Sequence, residues 1–268
     1  MSKEHLIAIV VVIYIIIHMF MIEPNTLQVT HYEIEDKALA GVKVVFFSDL
    51  HIAKNEYKKI NNLVSTINQQ HPDIVISGGD YAPSRNYKEM MDPDLIAQKL
   101  SLINAPVISV LGEYDWYTDG HDIAAKLQKN RIKVLENSSV KVPVRRNFIS
   151  IVGYADNTTR TIKAAKAARH TAKPRILVTH DPDVYYNVIE EYNLILAGHT
   201  HGGQILIPFT PPLFSPSKYK FNKGLMKPGQ NPMIVTRGVG TTGVKARLNC
   251  KPEIVVVNFI KGSPKNND

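Results

Sequence analysis

Residues 42–51 read V-K-V-V-F-F-S-D-L-H. Val42 to Phe47 is short, apolar and rich in β-branched and aromatic side chains, the composition of a strand buried on both faces. It stops abruptly at Ser48-Asp49-Leu50-His51. The same pattern recurs along the chain. Apolar runs close on Gly78-Gly79-Asp80, Gly112-Glu113-Tyr114-Asp115, Thr179-His180-Asp181 and Gly198-His199-Thr200-His201-Gly202-Gly203. In open α/β sheets the carboxyl ends of strands meet at a crevice, so these clusters are expected to converge. Each is weak alone, because Gly-Gly-Asp is often only a turn and Thr-His-Asp often only a hydrogen-bonded loop. Two imidazoles two residues apart in a glycine frame rarely arise for packing. Together, carboxylates and imidazoles suit Mn, Fe or Zn better than Ca or Mg.

Outward from that strand, the chain alternates. Helical spacing covers Tyr57 to Asn68, Leu95 to Leu102 and Asp122 to Gln128, between strands at Asp73 to Ser77, Pro106 to Leu111 and Ile132 to Leu135. Val140 to Val144 and Phe148 to Val152 then read as strands joined by a tight turn at Arg145-Arg146-Asn147. An Ala-rich basic helix is expected over Thr161 to His170. Ile176 to Val178, Leu194 to Leu196, Gln204 to Ile207, Met233 to Thr236 and Ile254 to Phe259 complete the strands. Helices between consecutive strands imply crossovers, and the β-only stretch implies a mixed or second sheet. Pro208 to Asn231 has no regular pattern, which suits a functional or surface excursion.

The amino terminus differs. Leu6 to Ile22 is apolar except for Tyr14 and His18 and carries no formal charge. At about 1.5 Å per residue, seventeen residues approach the thickness of a bilayer core. A cleavable signal peptide is the rival reading. The stretch ends in Met21-Ile22-Glu23-Pro24 rather than in small residues, which favours an uncleaved anchor. The expected organisation is a single-pass anchor at 1–23 in the cell (inner) membrane, a connecting segment at 24–41, one catalytic domain at 42–262 and a tail at 263–268. Lys3 before the helix weakly places the domain outside the cytoplasm. The 268 residues are 44% hydrophobic and 21% charged, enough for a full core and too apolar for a disordered chain. One cysteine, Cys250, excludes an internal disulfide framework. A net charge of +8 favours anionic partners: phosphate esters, acidic lipids or nucleic acid.

The order D-x-H, G-D, a third cluster where the family has G-N-H-D, H, and G-H-x-H resembles the calcineurin-like metallophosphoesterases over roughly Val42 to Phe259. Gly198 to Gln204, the loop Phe209 to Lys220, and Arg237 to Gly243 followed by Arg247 to Ile254 look like one branch. It holds bacterial membrane-linked phosphodiesterases and a UDP-2,3-diacylglucosamine pyrophosphohydrolase of lipid A synthesis. The resemblance implies an α/β fold, a two-sheet αββα sandwich, and a site for two divalent ions, Mn first, with Fe or Zn as alternatives. By position it implies that Asp49, His51 and His201 hold one ion and that Asp80 bridges. His180, His199 and Glu113 would hold the other. Tyr114 and Asp115 fall in the family's catalytic motif. The implied reaction is two-ion-assisted attack of water on a phosphodiester or pyrophosphate, with lipid-linked UDP-2,3-diacylglucosamine as the specific substrate the branch implies.

The third motif departs from the family. Glu113 stands where the family has Asn, and Tyr114 where it has His. Glu113 can still ligate but adds a negative charge, which weakens the field that polarises phosphate. Tyr114 is a phenol, poorly matched to general-acid work at neutral pH. These changes keep open a degenerate metal- or phospholipid-binding homologue with little turnover. A nuclease gains from the basic charge but loses from the anchor and from the lack of an aromatic-basic repeat, so nucleic acid is not the expected partner. His5, His18, His31, His71, His121 and His170 fall outside ligand spacing, and Trp116 reads as a packing aromatic. The basic run Lys163, Lys166, Arg169, Lys173 and Arg175 reads first as a solvated face. The Pro/Phe loop beside Lys218, Lys220 and Lys223 is read equally as ordinary packing or as a lipid contact.

Overall fold

The computed structural model describes residues 2–145 and 147–262. The expected tail at 263–268, and Arg146 of the expected turn, lie outside them. Helix α1 (Lys3–Ile17) is followed by β1 (Gln28–Glu35), β2 (Lys43–Phe47), α2 (Tyr57–Gln69), β3 (Ile74–Ser77), α3 (Pro93–Leu100) and β4 (Val107–Ser109). Next come α4 (Glu113–Thr118), α5 (Gly120–Lys129), β5 (Lys133–Val134), β6 (Ser138–Val144), β7 (Asn147–Gly153) and α6 (Ala164–Ala167). The chain continues through β8 (Arg175–Val178), β9 (Leu194–Ala197), β10 (Gly224–Met226), β11 (Met233–Val235) and β12 (Glu253–Ile260).

The strands make two six-stranded sheets, ordered β1-β12-β2-β3-β4-β5 and β10-β11-β9-β8-β7-β6. Period-two alternation decides which residues face which layer. In β2, Val44 and Phe46 face inward and pack with Ile74, Ile76, Ile151, Ile176 and Leu196 between the sheets. Val45 and Phe47 point the other way, onto Ile60, Leu63 and Ile67 of α2 and Ile96 and Leu100 of α3. The second sheet buries Leu177, Ile195 and Val235 of its outer face under a thinner cover that includes Ala167, Tyr185 and Phe221. The expected two-sheet α/β sandwich is therefore the observed architecture.

Several elements differ from the sequence reading. The connecting segment contains β1, which pairs in parallel with β12 from Gln28–Glu253 to Glu35–Ile260. Only Val29, Thr30, Tyr32 and Ile34 are half-buried in it, so an edge strand left little apolar signal. The expected strand Gln204 to Ile207 is a turn with a single bridge, Ile205 to Leu248. Positive φ at His201, Gly202, Gly203 and Gln204 precludes extended pairing there. The basic helix at Thr161 to His170 shrinks to the four residues of α6, which has no side-chain N-cap bond. The excursion at 208–231 contains β10. Helix α4 begins inside the third polar cluster, where the sequence reading has only a loop.

Helix α1 runs on through a π turn (His18–Ile22) and a 3-10 turn (Glu23–Asn25). The continuous segment Lys3–Asn25 is long and apolar enough to cross a membrane. Its end is fixed to the domain. The Arg247 N–H donates to the Met19 carbonyl at 2.9 Å. The buried Glu23 carboxylate accepts from the N–H groups of Asn249 at 3.0 Å and Cys250 at 2.5 Å. Glu23→Ala leaves both donors without their acceptor. It is expected to cost about 1–3 kcal/mol of stability, read by chemical denaturation of the detergent-solubilised chain.

Candidate metal centre

Every expected ligand follows the carboxyl end of a strand. Asp49 and His51 follow β2, Asp80 follows β3, Glu113 follows β4, His180 follows β8, and His199 and His201 follow β9. Strands β2, β3 and β4 are mutually parallel, as are β8 and β9, so within each sheet the ends share one edge. Asp49, His51, Asp80, His199 and His201 all have positive φ. Such backbone costs a non-glycine residue on the order of 1–3 kcal/mol and persists where the surroundings enforce it, typically at functional sites. Close packing enforces it here. A Cβ on Gly112 would lie 2.3 Å from Asp80 Oδ1 and 2.7 Å from His180 Cε1, so no larger residue fits without displacing them.

The side chains form two overlapping groups, Asp49–His51–His201 and Asp49–Asp80–His180, with ligand atoms within 4.8 Å of one another in each. Asp80 Oδ2 is 3.3 Å from His180 Nε2 and 3.6 Å from His51 Nε2, so one carboxylate oxygen faces both groups. Asp49 Oδ1 lies 3.8 Å from His201 Nε2 and 3.9 Å from His180 Nε2. His51 Nδ1 donates to the Ala82 carbonyl at 2.7 Å, and His180 Nδ1 donates to the Gly78 carbonyl at 2.8 Å. A carbonyl can only accept, so these bonds place protons on Nδ1 and turn the Nε2 atoms of both rings toward the cluster. His51 Nε2 meets His201 Nε2 at 3.1 Å, while buried His180 Nε2 and His201 Nδ1 have no hydrogen-bond partner among the described residues. Carboxylate oxygens and imidazole Nε2 atoms converging in one buried cluster are what a pair of borderline cations would satisfy, so the donor set fits them.

The electrostatics follow from burial and crowding. Burial raises the Asp49 carboxyl. Burial acts the same way on Asp80, but His180 outweighs it and holds that carboxyl down to about 2. His180 is raised well above the usual imidazole range because Asp80 and Asp49 overcome its burial. Burial and then His51 push His201 well below it.

The remaining expected residues are placed differently. Glu113 and His199 belong to neither group but line the adjoining cavity of ≈ 320 Å³ with Asp80, Tyr114 and His201. The His199 ring lies 5.1 Å from that of His180, and the backbone N–H of His199 donates to Asp49. Burial raises the Glu113 carboxyl, with His199 opposing. Tyr114 stands edge-on to His51, and its hydroxyl accepts from Thr242 Oγ1 at 3.1 Å.

Asp115 departs from the expected catalytic contact. It is fully buried, and its carboxylate accepts from the N–H groups of Asp80, Tyr81, Ala82 and Gly112. Those bonds make it a positioning residue for the Asp80 loop. Burial, then the charge of Asp80, push it up to about 7. Asp115→Ala strands these donors and is expected to cost about 1–3 kcal/mol or more, read as a lowered unfolding temperature.

Two residues escaped the sequence reading. Asp156 is buried beside the site, with one carboxylate oxygen unpartnered. It follows the apolar run Phe148–Val152 by four residues, the same signal that marked the other clusters. Arg247 is fully buried, and its guanidinium donates to the carbonyls of Arg237 and Gly240, at 2.7 and 2.6 Å, and to that of Cys250. It fastens the 237–240 loop beside Asp49, and nothing in local sequence distinguishes it from a surface arginine. Cys250 is buried and free, as expected, and Trp116 carries the Arg160 guanidinium 3.8 Å over its ring. The discounted histidines lie outside both groups.

The profile of the calcineurin-like phosphoesterases matches residues 42–203, from the start of β2 to the second histidine of G-H-x-H and the glycines after it. The chain belongs to that family. It is 28% identical over 255 residues to the phosphodiesterase YaeI of Escherichia coli, covering 91% of this chain and 92% of that one. An uncharacterized metallophosphoesterase of Aquifex aeolicus is 29% identical over 258 residues, covering 90% and 94%. A zebrafish (Danio rerio) transmembrane protein with a metallophosphoesterase domain is 28% identical over 236 residues, covering 81% of this chain and 53% of that protein. Membership in this phosphoesterase family supports a phosphoester hydrolase with a dinuclear centre, for which the two overlapping groups are the candidate ligands.

Proposed function

We propose that the chain is a membrane-anchored phosphoesterase using two divalent ions, Mn first, to hydrolyse a phosphodiester or pyrophosphate on a lipid-linked substrate. The observation that supports it is the cavity. Its lining combines Asp80, Glu113, His199 and His201 with Ile205, Leu213, Phe214, Pro216 and Val244. A polar reacting group and an apolar tail would both find matching side chains in one space.

Asp49, His51, His201, Asp80 and His180 would hold the ions, with His199 and Glu113 completing the second set. When bound, the ions polarise phosphoryl oxygens and lower the pKa of water. Asp115 fixes the loop that carries Asp80. The Tyr114 hydroxyl is held by Thr242 and can donate its own proton to a phosphoryl or leaving-group oxygen. The apolar part of the lining limits bulk water around the reacting group. The buried bonds of Glu23 support an uncleaved anchor, because cleavage near Ile22 would cut into a hydrogen-bonded element.

The purified full-length chain, stripped by chelator and reloaded with Mn²⁺, should hydrolyse bis(p-nitrophenyl) phosphate. It should act faster on UDP-2,3-diacylglucosamine than on the same nucleotide sugar without acyl chains. Equal rates with and without acyl chains would remove the lipid from the proposal. No turnover on any of these, with metal bound, would favour a degenerate binding homologue, the reading that Glu113 and Tyr114 keep open.

A further inference from the structure

Residues 192–252 contain no Asp or Glu and carry eight Lys and Arg. The rest of the chain balances, 24 basic against 24 acidic, so the net +8 resides in this segment. Arg237 pairs with Glu253 at 2.5 Å, and Arg247 is buried. The six lysines are all exposed. Lys218, Lys220 and Lys223 follow the 207–214 tip in sequence, and Lys245 adjoins Val244.

That tip exposes what a soluble surface normally hides. Ile207, Leu213 and Phe214 are exposed, Phe209 completely, and Val244 is exposed beside them on the cavity wall. The tip is also tied to the end of the apolar helix. The Leu206 N–H donates to the Leu248 carbonyl at 2.8 Å, and Asn249 Nδ2 donates to the Leu206 carbonyl at 2.9 Å. The same 247–250 strip is held by Met19 and Glu23 at the foot of the helix. Helix foot, apolar tip and cavity mouth therefore lie within one hydrogen-bonded unit.

We propose that residues 207–214 and Val244 dock into the surface of an anionic lipid leaflet, with Lys218, Lys220, Lys223 and Lys245 facing its head groups. Exposed apolar side chains followed closely in sequence by exposed lysines match a surface that is apolar below and negatively charged above. A protein partner would have to be both acidic and apolar, and it would compete for this space with the bilayer that the adjacent helix enters. With the tip in the interface, Leu213, Phe214 and Val244 open the cavity toward the leaflet, and a lipid phosphoester reaches Asp80 without leaving the membrane. The proposal rests on the anchor reading of the helix.

The test uses the full-length chain in nanodiscs. Phe209→Cys carries an environment-sensitive NBD label, and Lys129→Cys on α5 carries the control label; Cys250 is buried and left in place. In discs containing phosphatidylglycerol, the Phe209 label is expected to shift to the blue and to be quenched by doxyl lipids, while the Lys129 label is not. Replacing Lys218, Lys220, Lys223 and Lys245 with Gln should reduce the shift. A Phe209 label with water-like emission in discs that retain the protein overturns docking and leaves the anchor standing. A chain that fails to co-elute with discs overturns both. A blue-shifted Phe209 label equal in neutral and anionic discs, unchanged by the Lys replacements, overturns the charge-directed part.

Discussion

Asp80→Asn is expected to lower turnover of bis(p-nitrophenyl) phosphate by about 10³-fold while leaving the fold intact. The carboxylate oxygen Oδ2 faces His180 on one side and His51 on the other, at 3.3 and 3.6 Å. An amide of the same shape preserves packing against Gly112 but removes the charge. If it offers its NH₂ to the cluster, it also points donors where cations would sit. The Tyr114 N–H donates to Asp80 Oδ1 at 2.9 Å, and an Asn oxygen turned to that side can keep the bond. The expected readouts are therefore separable. Without added metal the unfolding temperature should fall by the lost Asp80–His180 attraction while the transition stays cooperative, bound Mn²⁺ should fall below two per chain, and turnover should collapse. Near-normal turnover with two Mn²⁺ bound would remove Asp80 from the bridging role.

The fold was legible where side chains are buried on both faces. β2, β3, β8 and β9 are nearly unbroken apolar runs, and each is followed within three residues by a candidate ligand. Elements without a buried apolar run were not legible. β1 is an edge strand whose inward positions, Val29, Tyr32 and Ile34, are only half-buried and alternate with the polar His31, Glu33 and Glu35. At 201–204 the glycine frame that marks the site also breaks the apolar run expected to form a strand. The clusters could be listed in order from sequence, but contact among them could not. Asp115 shows the difference. Its type and neighbourhood suggest chemistry, yet its oxygens are used by backbone N–H groups from two loops. Spacing along a chain does not reveal which way a carboxylate turns. Arg247 is the converse case, a charge whose burial depends on carbonyls from the 237–240 loop and Cys250.

Glu113→Asn combined with Tyr114→His is expected to raise turnover selectively, by about 10²-fold on alkyl diesters and far less on p-nitrophenyl esters. The two positions flank the same cavity, and each limits a different contribution. Glu113 lines the cavity with His199 and Asp80, and burial first, then the charge of Asp80, raise its carboxyl while His199 opposes. The Glu113 charge opposes the field that two cations would direct at a phosphoryl oxygen, so removing it should help every substrate to a similar degree. Tyr114 acts at the leaving group. A phenol is a much weaker acid than an imidazolium and is less well matched to protonating a departing alkoxide at neutral pH. A nitrophenolate departs without a proton, so it gains little from the exchange. The single variants should divide accordingly: Glu113→Asn alone shifts all rates together, and Tyr114→His alone steepens the gain toward poor leaving groups. Tyr114→His also loses the Thr242 bond and the edge contact with His51, so its unfolding temperature should be measured beside the rates. A uniform rise across leaving groups in the double variant, with folding unchanged, would mean that residue 114 does not deliver the proton and that the native tyrosine only shapes the wall.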